Sequence, residues 1–227
     1  MRSHAKHNAR DARVASTDFT EALASQARQA ILDAIVHICS ADASAPRAAL
    51  TVERAHAPIA PARLARAHPG DAAAREEARQ LYERCLVLYR SVVRAQDQAI
   101  GVDNVGAAVA AFVAASLGAL QGTPVTPDML LRLEQQLDGI ARLSSHWEAA
   151  PVLERQAFFE QMALLAVLIA ESWAQAASQG GEAVANVRRA ARGYLQQLIG
   201  IDPDHLALGP DGLAARAPAV SSSQAMG

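Results

Sequence analysis

Along most of this chain apolar residues recur at spacings of three and four, and one stretch departs from that pattern. From Met162 to Ala170, nine residues in succession are apolar. A helix resting on a core shows one apolar stripe, whereas a helix apolar nearly all round must be covered nearly all round. Residues 151–181 are therefore expected to form the central helix of a helical protein. At about 100° per residue, Val152, Phe159, Ala163, Ala166, Val167, Ala170 and Ala177 form one stripe. Phe158, Met162, Leu165, Ile169 and Trp173 form an adjoining one. Gln156 falls inside the first stripe and is expected as a buried amide bonded to a neighbouring loop or helix end, with a polar contact in a ligand cleft as the alternative. Leu164 and Leu168 sit on the side that otherwise carries Glu154, Gln161, Ser172, Gln175 and Gln179. Such a pair is either covered by another helix of the chain or exposed as a patch for a protein partner or a second copy.

The same reading gives five further helices. The first spans about Asp18–Cys39, where Asp18 and Glu21 have capping-box spacing and Phe19, Leu23, Ala27, Ile31, Ile35 and Ile38 trace one face. Residues 41–70 carry Pro46, Pro58, Pro61 and Pro69, a density that forbids a continuous helix and predicts a linker or an irregular arm on the bundle. A second helix runs from the N-cap Asp71 to about Ile100, with Ala78, Leu81, Tyr82, Cys85, Leu88, Tyr89 and Val92 facing inward. The third, about 104–121, starts at Asp103 or Asn104 and is thinned by Gly106, Ala110, Ser116 and Gly118. Thr126-Pro127-Asp128 opens the fourth: the threonine caps, proline takes the first helical position and the aspartate meets the positive end of the dipole. The sixth runs from about Glu182 to Ile199 and stops at Gly200, with Pro203 beyond. No strand periodicity and no internal repeat is evident. The expected organisation is a disordered tail over 1–17, an N-terminal helix over 18–40, a Pro/Ala-rich linker over 41–70, a helical bundle domain over 71–213 and a disordered tail over 214–227. The fold class is all-α, a bundle of five to six helices.

Composition sharpens this. Hydrophobic residues make up 51% of the 227, yet aromatics only 4%, because much of the apolar count is alanine, the best helix former. The formal net charge of -2 implies no strong field to draw nucleic acid. Cys39 and Cys85 match no metal spacing and read as two buried thiols. The N-terminus lacks the apolar core of a secretory signal, so a cytoplasmic location is expected, or a periplasmic or exported one if the true N-terminus differs. The charge-free stretch from Asn104 to Pro127 breaks at Gln121-Gly122-Thr123-Pro124, and the run at 162–170 falls short of the roughly 20 residues of a span. No membrane span is expected.

Catalytic and ligand motifs are sparse. The chain has no CxxC, HExxH, P-loop or GxSxG, and Gly101–Gly106 does not follow a strand as a dinucleotide fingerprint must. Glu53 and His56 have the ExxH spacing of di-iron bundles, but such sites need two copies and two more glutamates. The seven histidines are scattered, and Asp202, Asp204 and Asp211 lack the calcium-loop pattern. No cofactor, metal site or catalytic residue is expected. The segment 28–38 resembles the opening helix of TetR-type regulators, but no recognition helix follows, and no nucleic-acid partner is expected. Two binding modes remain: contact with a protein partner or a second copy through Leu164 and Leu168, or a small apolar pocket between helices near Gln156, Phe112, Phe159, Met162 and Trp173.

The segments YRSVVRAQDQAIGVDNVGAAVAAFVAASLGALQG at 89–122 and RQAFFEQMALLAVLIAESWAQAASQGGEAVANVRRAARGYLQQLIGIDPDHLALGPDGL at 155–213 carry a resemblance. Together they resemble a bacterial helical family catalogued only as a domain of unknown function. The resemblance implies an all-helical fold and supplies no reaction. It also implies that relatives often carry an export signal. Asp103, Gln156, Glu160, Gly200 and Pro203 match its pattern as fold positions.

Overall fold

The structure, a computed structural model, describes residues 50–54, 57–95, 102–142, 150–198 and 202–216. The expected first helix, the N-terminal tail, Cys39, His56 and residues 217–227 lie outside them. Among the described residues there are six α-helices and one small hairpin: α1 (Ala60–Ala67), α2 (Ala72–Ala95), α3 (Val105–Gln121), α4 (Pro127–Arg142), α5 (Val152–Gln179), α6 (Gly181–Leu198), β1 (Leu206–Gly209) and β2 (Gly212–Ala215). The fold is all-α.

α3 and α5 form the centre and pack on each other along much of their lengths; α4 and α6 also pack on α3, while α1, α2 and α6 pack on α5. α3 starts where the Asn104 side chain accepts from the Ala107 N–H at 3.0 Å. It ends at Gly122, which takes a left-handed φ of 67° and returns its N–H to the Gly118 carbonyl, a conformation that favours glycine. Asp71 accepts from the Ala74 N–H at 2.9 Å and Thr126 from the Met129 N–H at 3.3 Å, so both caps read from the sequence are made.

Residues 50–54 and 57–70 lie on the bundle as an arm. Leu50 and Val52 are buried in the core, and Thr51 bridges to Asn104. The prolines prevent a long helix, but Pro61 stands in the first turn of α1, where its missing N–H costs nothing. The second departure is β1–β2. Leu206 pairs with Ala215 and Gly209 with Gly212 around Pro210-Asp211. Ala214 and Ala215 thus belong to a strand and not to a tail, and the Gln136 side chain of α4 holds the hairpin by accepting from the Leu213 N–H at 2.8 Å.

α5 is the one helix among the described residues long and apolar enough to cross a bilayer, and 50% of its most apolar window is enclosed within the fold.

Candidate functional site

The structure separates the residues singled out from the sequence. Phe112, Phe159 and Met162 are enclosed in the core at 0–1% exposure; their size fills the space in which a pocket would have formed. Leu164 is likewise enclosed, and Leu168 is half-buried and packs against the same core. The pair is therefore not an exposed contact patch. α5 meets α1, α2, α3 and α6, so this leucine pair is covered within the chain, while Gln175 and Gln179 on the same side are exposed. Trp173 is half-buried on α5, with the Arg188 guanidinium 5.5 Å from its ring centre.

Gln156 belongs to a buried polar knot. Its Nε2 donates to Glu160 Oε1 at 2.7 Å and to the Ala57 carbonyl at 3.3 Å. Glu160, 1% exposed, accepts through Oε2 from the N–H groups of Ile59 and Ala60 at 2.7 and 2.8 Å. Those N–H groups lie at the positive start of α1, where they lack helical partners. Arg63 of α1 meets Glu154 with two bonds, at 3.1 and 3.0 Å. A second knot centres on buried Asp103, which takes Arg90 of α2 at 3.0 Å and Arg54 of the arm at 2.6 Å. Both knots hold elements distant in sequence together, and their polar atoms face one another.

Tyr89, beside Phe159 with ring centres 6.0 Å apart, has its phenol pushed well above the usual range by burial. Glu134 and Asp103 add to the rise and Arg90 opposes it. Burial also raises Tyr82 and Cys85. A group raised in the folded state contributes stability that is complete below its unfolded value, near ~8.5 for cysteine and ~10 for tyrosine. That contribution is lost as pH climbs from there toward the folded value, because the unfolded chain releases the proton first. The urea midpoint is thus expected to be flat with respect to these groups near neutrality and to fall above about pH 9, less steeply in Tyr89→Phe. An unchanged slope in that variant counts against the assignment.

A groove of about 400 Å³ with a mainly apolar lining lies between α2 and α4. Its floor is made of small residues: Ala107, Ala111, Ala114, Ala115 and Gly118 of α3, with Ala166 and Ala170 of α5. Leu88 and Val92 of α2 form one bank, and Leu130 and Glu134 of α4 the other. Trp173 and the loop at Val125 complete the rim. α2 is carried on α5 and α4 on α3, which leaves a strip of α3 uncovered between them. Leu81, Leu88 and Val92, placed on an inward face by their spacing, are instead 40–47% exposed, and Leu88 and Val92 form an apolar edge of the groove. The sequence did signal this site: the residues at 107, 111, 115 and 118 are all Ala or Gly, so one face of α3 is shallow. Of the expected pocket residues, Trp173 alone lines the groove. Among the described residues no three His, Cys, Asp or Glu side chains converge as a metal site would require.

Comparison with curated proteins and with solved structures finds no match. A family model described as a family of unknown function (DUF6683) matches residues 22–216. That match takes in the arm and most of the expected first helix, reaching well N-terminal of the resemblance read over 80–213. On this coverage the chain belongs to the DUF6683 family.

Proposed function

We propose that this protein works by binding, without catalysis, and that its groove between α2 and α4 receives an amphipathic helix from a protein partner. The observation that carries the reading is the groove's form: a floor of Ala and Gly along α3, flanked by the exposed Leu88 and Val92. A helix seats closely on another where the facing residues are small, and aliphatic side chains on the banks supply its anchors. A partner helix would present apolar residues at i, i+3, i+4 and i+7 to such a lining. The buried polar groups support the absence of catalysis: Glu160, Gln156 and Asp103 are engaged in holding helices together.

The volume also falls within the range of small-molecule sites, roughly 300–1,000 Å³, and Tyr89 and Glu134 on the wall favour an apolar compound with a polar end as the second reading. Titrating the full chain, in a Trp147→Phe background, with a synthetic leucine/lysine amphipathic peptide tests the first. Trp173 fluorescence should change saturably with a dissociation constant in the micromolar range, and Ala115→Phe, which fills the floor, should abolish the change. A response that Ala115→Phe leaves intact would contradict helix binding in the groove.

A further inference from the structure

We infer that the helix received by the α2–α4 groove is a basic one, with lysine or arginine beside its apolar stripe. The inference rests on the groove reading and names the chemistry of the partner.

The charges of the groove carry it. Glu134 of α4 and Glu171 of α5 are the charged residues of the lining, and no lysine, arginine or histidine joins them. Glu171 is exposed, lies one turn along α5 from Val167 and makes no ion pair among the described residues. Glu134 is 7% exposed and lies one turn along α4 from Leu130. It is already engaged within the fold, but a carboxylate has about four lone-pair sites and can accept from a further donor. Burial, and then the charge of Glu134, raises the Tyr89 phenol, so this carboxylate acts on the lining. Arg188 at the Trp173 rim is engaged with the Ala119 carbonyl at 3.2 Å, and Arg90 with Asp103 at 3.0 Å; neither is part of the lining. A helix seated on the Ala and Gly floor takes water away from both carboxylates. A carboxylate covered without a counter-charge is costly, whereas an ammonium or guanidinium group on the incoming helix offsets that cost. An acidic helix adds like-charge repulsion. Among helices with the same apolar stripe, the groove therefore selects by charge.

Three synthetic peptides test this. They share one leucine pattern and carry lysine, glutamine or glutamate at the flanking positions. Each is titrated into the full chain in the Trp147→Phe background, with Trp173 fluorescence as the signal. The lysine peptide should bind about tenfold more tightly than the glutamine peptide, two ion pairs at a partly exposed rim being worth up to about fivefold each. The glutamate peptide should bind more weakly than either, and raising the salt from about 20 to about 300 mM should narrow the differences. Glu171→Gln, a change on an exposed side chain, should cut the lysine-over-glutamine ratio about threefold, and Glu134→Gln should cut it as well. Equal affinities for the lysine and glutamate peptides overturn the inference. So does a lysine preference unchanged in both glutamine variants, which assigns it to the net charge of the chain. The two readings fail separately. If the three peptides bind alike and Ala115→Phe abolishes all three signals, the groove reading stands without the charge selection. If none binds, or if Ala115→Phe leaves the signals intact, the groove reading falls and the inference with it.

Discussion

Phe159→Ala is expected to lower the unfolding free energy by about 4 kcal/mol. The ring is fully enclosed on the helix that meets α1, α2, α3 and α6. It holds the edge of Tyr89 at 6.0 Å and lies beneath the Arg90 guanidinium at 5.9 Å. Truncation removes the transfer energy of a phenyl group and leaves a cavity bounded by helices that cannot collapse without separating. It also releases Arg90, which holds Asp103 and, through it, the start of α3. Because a domain is stable by only about 5–15 kcal/mol, the variant should unfold at a clearly lower urea concentration in far-ultraviolet circular dichroism. A loss below about 1.5 kcal/mol would show that the site repacks and that Phe159 is not central to the core.

Glu160→Ala is expected to cost about 3 kcal/mol and to act first on α1. The carboxylate satisfies the Ile59 and Ala60 N–H groups and the Gln156 amide. Alanine leaves these donors buried without an acceptor, each at a cost of ~1–3 kcal/mol less whatever water recovers. Glu160→Gln should fall between, because its amide offers one acceptor oxygen where three donors converge. Hydrogen exchange separates this from general loosening: the Ile59 and Ala60 amides should lose protection well before those of α3. Uniform acceleration across the bundle would mean that Glu160 supports the core as a whole and not the docking of the arm.

Helices were legible where a residue acts locally. Thr126, Asp71 and Asn104 cap as their positions require, and the apolar run at 162–170 lies in a central helix and is mostly buried. Contacts between distant segments were not legible. Glu160 could be matched only as a fold position, because its partners at Ile59 and Ala60 lie about 100 residues away in a segment whose prolines hide a short helix. For Leu164 the helical wheel left coverage by another helix and an exposed patch both open, and it is covered because α1, α2, α3 and α6 all meet α5. The hairpin at 206–215 had its Pro-Asp-Gly turn signal in plain view, but two four-residue strands are too short for a period of two to stand out. The groove escaped for a related reason: attention fell on large side chains, and a concavity forms where side chains are small.

The most direct measurement on the central claim is photocrosslinking from the groove itself. With p-benzoylphenylalanine in place of Leu88 in the full-length chain, mass spectrometry after irradiation in the presence of the leucine/lysine peptide should locate crosslinks on that peptide, and Ala115→Phe should remove them. Crosslinks confined to residues of α2 to α6, unaffected by the peptide, would show that no helix occupies the groove and would contradict the account.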